Sequence, residues 1–303
     1  ALQSRYEMSA ACQNGVMHVN QTITLGVAIG PQHWPWDRQI AWWKEAEELG
    51  FDSLWLNDHF HSLGEIIDKP AFEASTTLAA IAMATSRIKL GLLTYGNTHR
   101  IPTILSKELV TIDHISGGRV IYGTGAGWNE PEHAAYAIPF PSAGDRVAML
   151  EEALDIHKLI ETEHRVNFQG RFYTLVDTPF QPKPVHGRLP ILIGGSKPKM
   201  LRVIGKHADI WDSGLEPDEY ALALATIREH AIAFGRDPLA IRGSAQVWNG
   251  KVDDKVFADR VREAYAAGAR QLIFRYLPTR VDLDEVPRLL EAVVPELRAE
   301  LER

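Results

Sequence analysis

The chain has 303 residues, 45% of them hydrophobic and 23% charged, which are the proportions of an ordinary soluble globular protein. Its formal net charge is −7, and it contains no run of Lys or Arg, which argues against nucleic-acid binding. Cys12 is the single cysteine, so an internal disulfide and a thiolate metal site are excluded, and a reducing cytoplasm fits. No apolar run reaches the roughly 18 residues that a membrane span needs.

Residues 1–20 are polar and aperiodic, and they lack the apolar stretch of a signal peptide. We expect them to form a disordered leader outside the fold. Met8 and Met17 are both candidate natural starts, which leaves open whether an expression vector supplied part of this leader. Residues 21–303 are expected to form a single domain, because barrel folds often use a chain of this length as one unit.

From Thr24 onward, short apolar runs alternate with amphipathic segments, which predicts alternating strands and helices. The predicted strands are Leu25–Ile29, Phe51–Leu56, Ile88–Tyr95, Arg119–Tyr122, Ile191–Ile193, Ala208–Trp211, Ile241–Trp248 and Gln271–Tyr276. The predicted helices are Asp37–Leu49, Pro70–Ala84, Thr103–Ile115, Asp145–Glu161, Met200–Gly205, Glu216–Phe234, Lys255–Ala267 and a terminal helix from Asp284.

Eight such units with continuously apolar strands indicate a parallel sheet covered by helices. Their number favours an α/β fold of the (β/α)₈ TIM-barrel type over an open doubly wound sheet. A short insertion interrupts the second half: a hairpin of Val166–Phe168 and Phe172–Leu175, followed by the proline-rich loop Pro179–Pro190. The active site of such a barrel lies at the C-terminal ends of its strands.

Two glycine-rich stretches stand at these strand ends. In Ser116–Trp128 (SGGRVIYGTGAGW), Gly123, Gly125 and Gly127 remove side chains where a flat or anionic group could approach the backbone; tight packing between elements is the alternative. Gly194-Gly195-Ser196 lies between a strand and a helix, where backbone amides and the positive helix end form a phosphate site; an ordinary turn is the alternative. No Gly-x-Gly-x-x-Gly follows the first strand, which argues against a Rossmann dinucleotide site.

Asp58 and His59, after the second strand, are the candidate catalytic residues. A neighbouring carboxylate can fix the tautomer and orientation of an imidazole that transfers a proton. His59 and His61 also form a His-x-His, which in a barrel can mark a metal-dependent hydrolase. Its further ligands would come from His99, His133 and Asp212. We expect no metal, because the fifth strand end offers only glycines and a serine.

Taken together, these blocks resemble the bacterial luciferase-like monooxygenase superfamily, and more specifically its branch of oxidoreductases that use the deazaflavin coenzyme F420. The resemblance runs from about Leu25 to the C-terminus. It is carried by Asn57–Phe60, Ile88–Gly96, Thr98–Pro102, Ser106-Lys107, Thr111–Asp113, Ser116–Trp128, Glu132-His133, Pro182–Pro184 and Ile191–Gly195.

The resemblance implies a flavin-like ring over the barrel mouth, with a non-proline cis peptide at Leu93–Thr94 behind the ring. It implies that Asp58 and His59 approach the reactive edge or the substrate. The cofactor-binding residues that it implies are Leu93, Thr94, Tyr95, Gly125, Gly127, Trp128, Gly194, Gly195 and Ser196.

One departure bears on the substrate. In the sugar-phosphate dehydrogenase of this family, the histidine matching His59 is the proposed proton-transfer group, and a tryptophan follows the Asp-His pair. Here the segment reads Phe60-His-Ser-Leu-Gly64, which argues against a sugar-phosphate substrate.

The expected function is therefore hydride transfer between coenzyme F420 and a small organic substrate. Two alternatives stay open: an FMN-dependent monooxygenase that takes reduced flavin from a partner reductase and activates dioxygen, and a non-catalytic flavin-binding protein. The Gly-Ala-Gly-Trp elbow and the step Thr98-x-Arg100-x-Pro102 resemble the F420 branch more closely. The resemblance also implies a homodimer, for which the alanine-rich helix Pro70–Ala84 is a candidate interface; a place in the core is the equal alternative for this helix. Neither a nucleic acid nor a membrane is an expected partner.

Overall fold

The computed structural model of the chain describes residues 22–28, 30–63, 67–249, 254–276 and 298–299. The predicted leader, residues 1–20, lies outside these ranges. So does the predicted terminal helix from Asp284, apart from residues 298–299.

The strands form a closed parallel barrel, which confirms the predicted (β/α)₈ architecture. In chain order, all strands of the described part are β1 Thr24–Ala28, β2 Ser53–Leu56, β3 Lys89–Leu92, β4 Tyr95–Gly96, β5 Val120–Gly125, β6 Arg165–Gln169, β7 Thr174–Pro179, β8 Ile191–Gly194, β9 Ile210–Ser213, β10 Arg242–Asn249 and β11 Ala269–Tyr276. The barrel runs β3-β2-β1-β11-β10-β9-β8-β5, and β5 pairs with β3 to close it.

Helices cover the outside of this barrel. They are α1 Trp36–Glu48, α2 Ala74–Ala84, α3 Pro102–Ser116, α4 Glu130–Ala135, α5 Ala143–Thr162, α6 Pro198–His207, α7 Pro217–Ala233 and α8 Asp254–Ala266, with a 3₁₀ turn at Pro238–Ala240. The predicted start of α2 at Pro70 was wrong, because the Glu73 carboxylate caps the helix by accepting from the Ser75 and Thr76 amides. None of the described helices is long and apolar enough to cross a membrane.

The third barrel strand is interrupted. The predicted strand Ile88–Tyr95 divides into β3 and β4, and the Leu93–Thr94 peptide between them is cis, as predicted. β4 continues the pairing with β5, with Tyr95 opposite Thr124. The interruption places the Leu93–Thr94 peptide at the mouth of the barrel.

The predicted insertion is present as an antiparallel hairpin of β6 and β7. Its strands are longer than predicted, and it packs on α5 through a small separate core. That core contains Val110, Ile156, Ile160, Val166 and Phe180. The hairpin therefore adds to the outside of the barrel without altering the closed sheet.

The glycines of the stretch Ser116–Trp128, here called the elbow, serve two purposes. A Cβ on Gly123 would lie 1.9 Å from the Leu92 carbonyl oxygen, so at this position the packing interpretation is correct. Gly127, by contrast, has a φ of 77° and lies further out, beside Thr98. Only the outer part of the elbow reaches the barrel mouth.

Arg119 fixes the base of this elbow. α3 ends at Ser116, and Gly117 and Gly118 adopt the left-handed conformation that ends a helix (φ 69° and 87°). The chain then turns the Arg119 guanidinium inward, where it is 7% exposed. It donates to the carbonyl oxygens of Ala82, Thr85, Ile88 and Ser116 and to the Thr85 hydroxyl. One buried side chain thus joins the end of α2 to β3 and α3.

Candidate active site at the mouth of the barrel

The C-terminal ends of the barrel strands surround a cavity of about 420 Å³, within the size range of small-molecule sites. It is open to solvent at the barrel mouth. Its lining residues are Asn57, Asp58, His59, Leu63, Leu93, Thr94, Gly96, His99, Gly127, Trp128, Asn129, Glu132, Gly194, Gly195, Ser196, Asp212, Ser213, Gly214, Gln246 and Arg275.

All predicted site residues except Tyr95 and Gly125 line this cavity. Tyr95 is fully buried behind the wall, where its hydroxyl lies 3.2 Å from the Ser75 hydroxyl. A Cβ on Gly125 would lie 2.8 Å from Thr94 Oγ1, so Gly125 makes room for a lining residue. The structure thus places both residues behind the cavity wall, which does not support the predicted ligand contact at these two positions.

Asp58 does not orient His59, contrary to the prediction. Its carboxylate accepts the Gly96 amide at 3.0 Å and lies 3.0 Å from His99 Nδ1 and 2.8 Å from the Arg100 guanidinium. Consecutive side chains of an extended segment point to opposite sides, so two neighbours in sequence are turned toward different partners. Asp58 is 3% exposed and acts inside the wall.

The charge on Asp58 is stabilised despite its burial. Burial alone would raise the pKa of this carboxyl, but the His99 hydrogen bond and the Arg100 charge outweigh burial and hold the pKa below its usual 3.8. Arg100 also contacts Glu73 at 2.5 Å and Glu108 at 3.5 Å. Asp58 is therefore ionised at neutral pH, and one guanidinium serves three carboxylates.

The partner of His59 is Glu132, which the sequence analysis did not identify as functional. Glu132 lies on the short helix α4, and its Oε2 is 2.8 Å from His59 Nδ1. Its other oxygen accepts the Phe60 amide at 2.7 Å. Burial would raise the pKa of Glu132, but these contacts with His59 and Phe60 lower the pKa below its usual value. The carboxylate thus accepts the Nδ1–H of His59 and leaves Nε2 as the ring atom available for proton transfer.

His61 does not join His59. Its Nδ1 lies 2.8 Å from the Ser62 carbonyl oxygen, and its ring stacks on Tyr136. Across the described ranges, no group of three or more His, Cys, Asp or Glu side chains is arranged to hold a metal ion. The His-x-His spacing therefore reflects two separate contacts.

Across the barrel from His59, at β9 to β11, a second polar group lines the cavity. Asp212 accepts hydrogen bonds from the Ser244 hydroxyl at 2.8 Å and the Gln246 amide at 2.5 Å. The Arg275 guanidinium donates to the side-chain carbonyl oxygen of Gln246, Oε1, at 2.8 Å. Burial raises the pKa of Asp212 to about 6, against the opposing effect of its two hydrogen bonds and of Arg275. Polar residues within otherwise apolar strands are the sequence feature that would have identified Gln246 and Arg275.

The lining fits a planar ring with a phosphate tail. Gly194 ends β8 and Gly195 follows it, and the Trp211 indole N–H donates to the Gly195 carbonyl oxygen at 2.8 Å. Their backbone faces the cavity just before α6, whose first-turn amides lack helical acceptors. In the described structure, Asn57 Oδ1 on the cavity wall has no hydrogen-bond partner, which suits a ring with polar edge groups. Trp128 stands at the mouth, 67% exposed, edge-on to His59 at 5.7 Å.

Known proteins resemble this chain over most of its length. The sequence profile of the family described as luciferase-like monooxygenase matches residues 13–294. F420-dependent glucose-6-phosphate dehydrogenase of Kineococcus radiotolerans is 33% identical over 196 residues, which are 63% of this chain and 57% of that protein. The enzyme of the same name from Intrasporangium calvum is 32% identical, over 58% of this chain and 54% of that protein. The chain thus spans little more than half the length of these relatives.

Solved structures share the fold. An F420-dependent secondary alcohol dehydrogenase in complex with an F420-acetone adduct has a TM-score of 0.82 at 18% identity, covering 91% of this chain and 99% of that one. A long-chain alkane monooxygenase has a TM-score of 0.78 at 15% identity, covering 92% of each chain. At these identities the likeness establishes the fold alone.

We predict that Asp58→Asn destabilises the protein by about 3 kcal/mol at pH 7, the lower end of the range for breaking a buried ion pair. The lower end applies because Arg100 keeps its contact with Glu73. The pKa of Asp58 is lowered in the folded state, so its stabilising effect is present above the unfolded-state pKa and is lost as the pH falls through the folded-state pKa. Urea unfolding at a series of pH values measures both effects.

Arg165→Gln is the matched control, because it breaks an ion pair with Asp177 whose side chains are 60% and 65% exposed. Exposed pairs contribute at most about 1 kcal/mol. A loss in Asp58→Asn no larger than that of this control would contradict the role given to Asp58.

Proposed function

Because this chain belongs to the luciferase-like monooxygenase family, we propose that it is an oxidoreductase that transfers a hydride between coenzyme F420 and a small organic substrate. The observation that carries the proposal is a histidine, His59, held at Nδ1 by an ionised carboxylate at the edge of a glycine-walled cavity. The names of the relatives at 33% and 32% identity favour F420 over FMN.

The chain would hold the coenzyme through its backbone. Leu93 and Thr94 form one wall for the ring, and Trp128 forms another at the mouth. Gly194 and Gly195 would offer the phosphate a stretch of backbone without side chains, just before the start of α6. When bound, F420 supplies a ring carbon that accepts or gives the hydride.

The protein's own contribution is control of one proton. As a hydride leaves a carbon that bears a hydroxyl group, the hydroxyl proton must go to a base. His59 Nε2 is placed to accept it, because Glu132 holds the Nδ1–H and stabilises the imidazolium that forms. In the reverse direction the same atom returns the proton. Asp58 is a positioning residue in this scheme, since it fixes His99 and Gly96 in the neighbouring wall.

Binding of the two candidate coenzymes tests the proposal directly. We expect F420 to bind the purified protein at least tenfold more tightly than FMN, measured by fluorescence titration of each compound under the same conditions. FMN binding tenfold more tightly than F420 would overturn the coenzyme assignment and favour the monooxygenase alternative.

Turnover tests the role of His59. With reduced or oxidised F420 and a panel of alcohols, activated alkenes and imines, we expect His59→Asn to lower kcat about 10²–10⁴-fold, the usual contribution of a general acid or base. Glu132→Gln should lower kcat less and shift the pH–rate profile, because an amide stabilises an imidazolium less than a carboxylate does. The F420 dissociation constant should change little in either variant.

Glu130→Gln is the control, since Glu130 lies on the same short helix but is exposed. If kcat fell equally in Glu130→Gln and Glu132→Gln, the proposed role of the Glu132–His59 pair in proton transfer would be contradicted. Stoichiometric F420 binding without turnover across the panel would favour a binding protein.

A homodimer is part of the proposal. The outer surface of α3 and the end of α2 expose Met83, Ile101, Ile104 and Ile115, each at least 41% exposed, and such apolar stripes are typical of interaction surfaces. We expect light scattering to give twice the mass of the chain, and Ile104→Asp to shift the protein toward the monomer. Leu222→Asp, at an exposed leucine on α7, should leave the mass unchanged. A monomeric wild-type protein would contradict this.

A further inference from the structure

Three residues of the cavity take no part in the proton transfer described above. They are Asp212, Gln246 and Arg275, here called the Asp212 cluster, at β9, β10 and β11. All three line the same cavity as His59, on the other side of the barrel. A buried ionisable group that the chemistry does not use needs another explanation.

The cluster is held rigidly. One Asp212 oxygen accepts the Ser244 hydroxyl and the other accepts the Gln246 amide. The side-chain oxygen of Gln246 accepts a hydrogen bond from Arg275. Because its nitrogen donates to Asp212 and its oxygen accepts from Arg275, the orientation of this amide is determined. Each carboxylate oxygen keeps a further lone pair, and Asp212 is 2% exposed beside the cavity. The cluster therefore presents a fixed hydrogen-bond acceptor to a ligand.

The charged side chains of the lining oppose an anionic substrate, whereas the coenzyme phosphate of the proposed function would lie against the backbone of Gly194 and Gly195. Among the described lining residues the carboxylates are Asp58, Glu132 and Asp212, and the permanently charged cation is Arg275. Arg100 compensates Asp58 from outside the cavity. The field of Arg275 is opposed by the nearby Asp212 carboxylate. A phosphate monoester held as substrate between His59 and the Asp212 cluster would therefore meet two carboxylates, Glu132 and Asp212, and one compensated guanidinium.

We propose that Asp212 is a specificity-determining residue that, with Arg275, selects uncharged substrates bearing a hydroxyl or amide group and excludes phosphate monoesters. The hydroxyl or amide donates to the anchored carboxylate, while a substrate oxygen accepts from the guanidinium. The inference rests on the proposed function only in taking this cavity as the substrate site. The proposed substrate class differs from the substrate named for the glucose-6-phosphate dehydrogenase relatives.

Sulfate tests the exclusion without any coenzyme or substrate, since it remains a dianion across the working pH range. At pH 8, calorimetric titration of sodium sulfate should show binding at least tenfold tighter in Asp212→Asn than in the wild-type protein. Asp218→Asn is the matched control, because it removes the same charge from an exposed position on α7. Adding Arg275→Gln to Asp212→Asn should abolish the gain. Equal sulfate binding by wild type and Asp212→Asn, or an equal gain in Asp218→Asn, would overturn the inference.

Turnover tests the selection. With F420 and the best uncharged substrate of the panel, Asp212→Asn should raise KM about tenfold or more while kcat changes severalfold at most. Circular dichroism and the F420 dissociation constant of the variant confirm that it folds and keeps its coenzyme site. Efficient wild-type turnover of glucose 6-phosphate would overturn the inference and leave the proposed function intact. Failure of F420 to bind, with the sulfate pattern as expected, would overturn the proposed function alone.

Discussion

The buried carboxylate of Asp58 is the interaction on which the mouth of the barrel depends. It joins the end of β2 to the Gly96 amide of β4, and through Arg100 to the segment that leads into α3. A carboxylate buried without partners would be strongly unfavourable, so these segments must assemble together for the fold to tolerate the charge. The resulting wall carries Leu93 and Thr94, and the hydrogen bonds and ion pair of Asp58 help to fix its position.

Use of Asp58 in the wall has a consequence for the chemistry. His59 then needs a second carboxylate, and the chain supplies Glu132 from α4, which follows the glycine elbow. His133 holds this helix in place, with Nδ1 2.7 Å from the Asn129 carbonyl oxygen and Nε2 2.7 Å from the Thr98 hydroxyl. The elbow thus lines the cavity at Gly127 and Trp128 and also leads into the helix that brings a carboxylate to His59.

The sequence predicted the barrel well because the relevant information is local. Alternating apolar runs and helix-ending glycines such as Gly50 and Gly117 mark the units one after another, and eight units close a barrel. The pairing within the site was not predictable in the same way. Asp58 and His59 are neighbours in sequence but contact different partners. His59 and Glu132 are 73 residues apart and meet because β3 pairs with both β2 and β5. The burial of the Tyr95 side chain behind the cavity wall was not predictable from the sequence for the same reason of side-chain direction.

The three carboxylates at the mouth of the barrel are all buried, and they show how the hydrogen-bond donors around a carboxylate decide the direction of its pKa shift. Asp58 has a guanidinium in direct contact, and Glu132 has an imidazole and an amide; the pKa of each is lowered despite burial. Asp212 has only the neutral donors Ser244 and Gln246, and Arg275 acts on it from behind Gln246, so burial prevails and raises its pKa to about 6. One wall therefore keeps its charges at any physiological pH, while the opposite wall holds a carboxyl that titrates close to neutrality. In the proposals made above, proton control and substrate selection therefore belong to groups that respond differently to pH within one cavity.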